Sequence, residues 1–312
     1  MDSTRSSHNV PECSCHTSCG CSSVQVNSED PITLVDNKLS QQKFTTEADL
    51  KRSLRKLQGL LLEGRHYDQY VVCTDVPPEI HSRLTDDASQ LIKFCRFTYN
   101  ITTRILISKI MPSRAHHVAI REFDYLIISE LHRLNVKDEV WATGSATEEI
   151  GNWRKEADCS WATSGKPITL RFVVDVGFPE SANQLALDAH GWLETETSPV
   201  NLALTITIHR ETPDICFNLW ELVPREHSAQ TGSPPLQARR TASLKLCRVN
   251  GLTTVTGESC RNSITTASTH LELPFDKIVG RSPNQPQERN LMISEQDLRE
   301  FVEWIWTIQN LI

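Results

Sequence analysis

Between Leu170 and Phe178 the chain reads Leu-Arg-Phe-Val-Val-Asp-Val-Gly-Phe, an apolar strand with one carboxylate, Asp175, set into it. Burying an unpaired charge is costly, so whatever forms here must give Asp175 a partner, a ligand or a route to solvent. A second acid, Asp158, lies in the preceding stretch, Lys155-Glu156-Ala157-Asp158-Cys159-Ser160-Trp161. Ser164-Gly165-Lys166-Pro167 between them has the composition of a hairpin turn. Two carboxylates on neighbouring strands can hold a divalent cation. Equally, Asp158 can end a turn while Asp175 meets solvent or an arginine.

The flanking elements are legible from their periodicity. Leu50, Leu54, Leu57 and Leu61 form one stripe behind Thr46, which predicts a capped helix stopped at Gly64. Short strands are expected at Tyr70–Cys73, Phe94–Tyr99 and Thr103–Met111, then a helix over about Ala115 to Leu134. Glu130 lies near the apolar face of that helix and could point into a site. After Asp175, a helix over Ala182 to Glu194 leads to the strongest strand pattern in the chain, Val200 to Ile208, with Ile215 to Leu222 as its antiparallel partner. Ser294 and Asp297 open a closing helix with Leu298, Val302, Ile305 and Ile308 on its buried side.

The domain reading is a polar, Cys/Ser-rich tail over 1–44, an α/β core over 45–223, a flexible insertion over 224–243, and C-terminal strands and a helix packed on the core over 244–312. In the tail, Cys13, Cys15, His16, Cys19 and Cys21 could ligate zinc, although the one-residue cysteine spacing suits a redox-sensitive tail as well. The other cysteines are scattered and suit small buried apolar positions. A formal charge of −7 over 312 residues leaves no global basic footprint; a phosphate-binding surface has to be local. No stretch reaches the roughly 18 apolar residues of a membrane span, and the first residues lack the apolar run of a secretion signal. An intracellular protein, cytoplasmic or nuclear, is expected.

The order helix, strand–turn–strand, helix, strand, with acids on the paired strands, resembles the PD-(D/E)xK (restriction-endonuclease-like) superfamily. Residues about 70 to 223 resemble a fungal-type branch of it. The matching pieces are Met111-Pro112-Ser113 with His116-His117, Lys155 to Trp161, Val173-Val174-Asp175-Val176-Gly177, Leu185 to Ala189 with Trp192-Leu193, and the Leu202-to-Ile208 strand. The resemblance implies a restriction-endonuclease-like core, a central mixed sheet flanked by helices. It further implies metal-dependent phosphodiester hydrolysis of nucleic acid, with Asp158 and Asp175 as catalytic acids binding Mg²⁺ or Mn²⁺ and Glu130 as an accessory ligand. Three positions depart from that pattern: Gly177 stands where the superfamily has its lysine, Ala157 where it has proline, and Asp175 where glutamate is commoner. Lys155 and Lys166 are the nearby lysines. The alternative is a catalytically degenerate nuclease-fold module acting in protein or nucleic-acid interaction.

Overall fold

In the computed structural model, which describes residues 39–312 apart from 67, 86–93, 112, 146, 226–235 and 262–263, local signals set the elements. The Thr46 side chain accepts from the Asp49 backbone N–H and starts the first helix, and the Ser294–Asp297 pair makes a complete capping box on the last. The first part of the chain forms β1 (Gln41–Lys43), α1 (Glu47–Leu62), β2 (Tyr70–Thr74), α2 (Pro78–Thr85), β3 (Cys95–Asn100), β4 (Leu106–Ile110) and α3 (Arg114–Arg133). Next come β5 (Val140–Ala142), β6 (Thr147–Ile150), β7 (Trp153–Glu156), β8 (Cys159–Thr163), β9 (Thr169–Gly177), α4 (Ala182–Glu194), β10 (Leu202–Ile208) and β11 (Asp214–Pro224). The chain closes with β12 (Leu236–Val249), β13 (Leu252–Arg261), β14 (Ile264–Ala267), β15 (Leu271–Leu273), α5 (Phe275–Val279), β16 (Leu291–Ile293) and α6 (Glu295–Ile308).

The fold is mixed α/β, with mixed sheets flanked by helices. A six-stranded sheet runs β1-β2-β4-β3-β7-β6 and an eight-stranded sheet runs β14-β13-β12-β11-β10-β9-β8-β5. In the larger sheet, β9 and β10 are parallel and joined across α4, while their outer neighbours β8 and β11 pair antiparallel. Alternation along β9 divides the core. Phe172, Val174 and Val176 enter a cluster with Phe123 and Ala119 of α3 and Leu298, Phe301 and Ile305 of α6. Val173 joins Ala189, Trp192 and Leu193 of α4 on the opposite face. Asp175, two residues on, shares that second face.

The six-stranded sheet covers one side of itself with α1 and α2, through Leu50, Leu54, Ile80 and Leu84 against Phe97, Tyr99, Leu106 and Ile110. Its other face carries Tyr70, Val72, Ile107 and Trp153, and this face meets α4 and β9. The two sheets share the stretch around Asp158, because β7 pairs in the smaller and β8 in the larger. The single piece Lys155–Trp161 of the sequence is therefore a crossover between sheets.

One expectation changes. The flexible insertion was expected to extend to residue 243, but β12 begins at Leu236, and Arg239 and Arg240 lie within this strand, opposite Glu221 and Trp220. The C-terminal strands expected from residue 244 include a hairpin, β12 against β13. Asn250 and Gly251 take φ of 51° and 78° at its turn, the left-handed pair that an Asn-Gly hairpin uses. The Cys13–Cys21 cluster lies outside the described residues. Among the described residues, no helix is long and apolar enough to cross a membrane.

Candidate functional site

Strand register assembles a polar row inside the protein. Tyr70, Lys109 and Arg96 face one another across β2, β4 and β3. Ile107, Thr98 and Lys155 form the adjoining row across β4, β3 and β7. Residues in register or two apart share a sheet face, so all six point to the same side. Asp175 of β9 approaches from the other sheet, and Asp188 and Trp192 approach from α4. Together with Glu156, these groups line a pocket of about 260 Å³, its open mouth included.

Asp158 sits where the chain leaves the smaller sheet for the larger, its own N–H donating to Val174 O at 3.1 Å. Its carboxylate is buried and surrounded by donors. Oδ2 accepts from Lys109 Nζ at 2.6 Å and from the Val176 N–H at 2.7 Å, and lies 3.3 Å from His116 Nε2. Oδ1 has no hydrogen-bond partner among the described residues; Arg96 Nε stands 3.9 Å away. Burial alone would raise the Asp158 pKa, but Lys109, His116 and Arg96 outweigh it and hold the carboxyl well below the ordinary range.

Asp175 is 5 % exposed. Its Oδ1 lies 3.4 Å from Lys109 Nζ and its Oδ2 accepts from the Trp192 indole N–H at 3.1 Å. One ammonium thus bridges the two acids. For Lys109, burial works against the charged form, but Asp158 and Asp175 overcome it and keep the pKa above that of an ordinary lysine.

A second acid and a second lysine, Asp188 and Lys155, lie beside the first group. Asp188 accepts from Tyr70 OH at 3.1 Å and from Gln184 Nε2 at 3.2 Å. Burial raises its pKa to about 6, with Lys155 opposing and Asp175 adding. Lys155 is 2 % exposed. Its Nζ donates to Asp188 O at 3.2 Å and lies 4.9 Å from the Trp192 ring centroid. Burial lowers its pKa, against the pull of Asp188 and Asp175.

The structure brings Asp158 and Asp175 together and puts Glu130 elsewhere. Glu130 is fourteen residues beyond His116 on α3, about 20 Å along the axis at 1.5 Å per residue. It is buried against Arg133, Arg289 and the Met292 N–H, tying α3 to β16. The residue of α3 that reaches the acids is His116. Lys166 is exposed in the turn between β8 and β9, and Lys155 donates to the Asp188 backbone carbonyl. At Gly177 a Cβ would lie 2.9 Å from Leu185 Cδ1 and 3.1 Å from Gln69 Oε1. That space belongs to Gln69, whose amide accepts from Phe178 N–H at 2.8 Å and donates to Ile110 O at 3.0 Å, stitching the two sheets together. A side chain at residue 177 would have to push Leu185 and Gln69 aside.

These residues do not fit Mg²⁺ or Mn²⁺ as they stand. The Lys109 ammonium already lies between the two carboxylates, and a divalent ion beside it would meet like charge. Among the described residues, no group of three or more His, Cys, Asp or Glu side chains is placed to hold a metal.

Lys109 has a sequence signal in hindsight: Ile105 to Ile110 is apolar apart from Ser108 and this one cation. Its pairing with acids 49 and 66 residues downstream has none.

No family model matches the chain, and no curated protein does. Among solved structures, it is similar to a protein of Anabaena variabilis described as a candidate nuclease of DUF820. The identity is 15%, the TM-score is 0.30, and the match spans 45% of this chain and 86% of that one.

Proposed function

We propose that the chain is a PD-(D/E)xK nuclease-like module that binds a phosphodiester group of nucleic acid in the pocket between its two sheets, without metal-dependent turnover. The observation that carries this reading is the balance of donors and acceptors around the pocket. Both oxygens of Asp175, both of Asp188 and both of Glu156 accept hydrogen bonds or ion pairs from protein donors. The cations are less occupied. The Lys109 ammonium has three N–H bonds and two acceptors, and that of Lys155 has one acceptor. Arg96 donates one hydrogen bond, to Cys95 O, and its Nε makes none. Apart from Asp158 Oδ1, which stands 3.9 Å from Arg96 Nε, the unused capacity is donor capacity, and a phosphate oxygen is an acceptor with charge to match.

The free space inside the pocket is about 10 Å³, room for one water-sized group at its mouth. That favours a single anionic group presented by a larger chain over a free nucleotide. The acids beside the cations leave the local charge near balance, so the affinity should be modest, with a salt slope set by one or two phosphates rather than many.

The test is fluorescence anisotropy with labelled single-stranded DNA, duplex DNA and RNA, in EDTA and again in Mg²⁺, followed by gel analysis of the same samples. Binding in EDTA, weakened about tenfold by Arg96→Ala or Lys155→Met, with intact oligonucleotide throughout, is the expected result. Affinity indifferent to both substitutions overturns the pocket reading. Cleavage in Mg²⁺ that disappears in Asp175→Asn overturns the absence of turnover and restores metal-dependent phosphodiester hydrolysis.

A further inference from the structure

The acid pair has the layout of a cation site, yet its cation is covalently part of the chain. Lys109 comes from the smaller sheet, 49 residues before Asp158, and its ammonium reaches 2.6 Å from one carboxylate and 3.4 Å from the other. Its residue is 4 % exposed, and Asp158 and Asp175 are 2 % and 5 % exposed. The neighbouring strands fix its position, since Tyr70 and Arg96 flank it in register on either side. A second feature points to the same place. Among the described residues, Asp158 Oδ1 is a buried carboxylate oxygen without a hydrogen bond, 3.9 Å from an Arg96 Nε that also lacks one. A buried carboxylate oxygen held only by this long ion pair has acceptor capacity to spare.

We propose that Lys109 is the permanent occupant of the cation position between Asp158 and Asp175, so that the chain holds its acid pair without a divalent ion, and that shortening Lys109 uncovers this position to Mn²⁺ or Mg²⁺. The chemistry is a substitution of one cation for another. The ammonium contributes one positive charge and N–H donors at hydrogen-bond distance. A divalent ion contributes twice the charge and accepts oxygen ligands at about 2.0–2.1 Å in the case of Mg²⁺. With Lys109 cut back to its Cβ, Asp158 Oδ2 and Asp175 Oδ1, the two oxygens that held the ammonium, border the vacated space. Water fills the rest of the coordination shell, as Mg²⁺ usually requires. The proposal rests on the nuclease-like reading for its choice of ions, but it concerns metal binding alone.

The experiment is calorimetric titration of the full chain with MnCl₂, and then MgCl₂, for the wild type, Lys109→Ala, and Lys109→Ala combined with Asp175→Asn. The wild type should show no saturable heat at millimolar metal, and its melting temperature should be the same in EDTA and in Mn²⁺. Lys109→Ala should bind one Mn²⁺ at least about tenfold more tightly than the wild type, and the added Asp175→Asn should abolish the gain. If Lys109→Ala does not fold in EDTA, refolding in Mn²⁺ is the same test, because a ligand of the native state stabilises it by mass action; rescue is expected. Saturable Mn²⁺ binding to the wild type that is lost in Asp175→Asn overturns the proposal, as does a Lys109→Ala variant that neither binds Mn²⁺ nor is rescued by it. Oligonucleotide affinity in EDTA is a separate readout, so failure of the pocket reading leaves this result standing, and the reverse holds.

Discussion

Replacing Lys109 with methionine keeps most of the side-chain volume and removes the charge, so its effect isolates the ammonium. Two buried carboxylates then lose their shared partner. Breaking a buried pair by removing one member generally costs about 3–5 kcal/mol, because a charge is left uncompensated. The lower end applies here. Asp158 keeps the Val176 N–H at 2.7 Å and has His116 3.3 Å away, and Asp175 keeps the Trp192 indole at 3.1 Å. A loss of about 3 kcal/mol, with a urea m-value of about 3 kcal/mol/M for a chain of this size, moves the midpoint down by about 1 M. Adding Asp158→Asn to Lys109→Met should recover about 1–2 kcal/mol of the loss, since the stranded charge is then gone. The pH dependence follows from the depressed Asp158 carboxyl. A group whose folded pKa lies below its unfolded value contributes stability above about pH 4, lost as pH falls through the folded value. Without Lys109 much of that depression disappears, so the gap between wild type and Lys109→Met should narrow below about pH 4. Urea melts at pH 7 and pH 3.5 read both effects. A single variant within about 0.5 kcal/mol of wild type at pH 7, the range of ordinary surface changes, would falsify the buried-pair account. So would a double variant no better than the single.

Three further outcomes are expected. Gly177→Lys should not restore a nuclease lysine, because its Cβ starts 2.9 Å from Leu185 Cδ1; a loss of about 1–3 kcal/mol by overpacking is expected, and a variant as stable as wild type would show that the Gln69–Leu185 wall yields. Trp192→Phe removes the N–H that Asp175 Oδ2 accepts and should cost about 1.5–3 kcal/mol, as for other hydrogen bonds to charged groups; differential scanning calorimetry measures it, and an unchanged transition refutes the bond. His81 is buried with both ring nitrogens unpartnered among the described residues and stacks on Tyr99 at 4.8 Å, and burial, with Arg154 adding, lowers its pKa from 6.5 to about 4. Its folded form therefore binds fewer protons than the unfolded chain, so stability is full above pH 6.5 and falls towards pH 4, by about 3 kcal/mol at most. His81→Phe should flatten that limb, and an unaltered pH profile rules the assignment out.

Local chemistry made much of this molecule legible. Thr46 and Ser294 cap their helices as their spacing to Asp49 and Asp297 implies, and the helix Ala182–Glu194 has the bounds its pattern suggests. The Asn250-Gly251 dipeptide has the same local legibility, since both residues take the positive φ that such a hairpin turn requires. The limit of Arg225 to Ser243 had another cause. Its Gly, Ser, Pro and Arg content suits a linker, but residues from Leu236 onward gain a full ladder against β11, and a partner strand overrides composition.

The amino-acid sequence by itself determined that Asp158 and Asp175 were anomalous, because a carboxylate among Val, Phe and Trp has to be neutralised by something. It also determined the amphipathic faces from which the layers are built, since side-chain period follows directly from helix and strand geometry. What neutralises the acids was decided only by tertiary structure. Lys109 and its two partners are brought together by strand register in two sheets and by a crossover at Asp158, none of which a local pattern encodes. The same packing seats Gln69 where a lysine at residue 177 would rise, and carries Glu130 some 20 Å down α3 from His116. Ion pairs are decided over a few ångströms, and those distances exist only once the sheets have met.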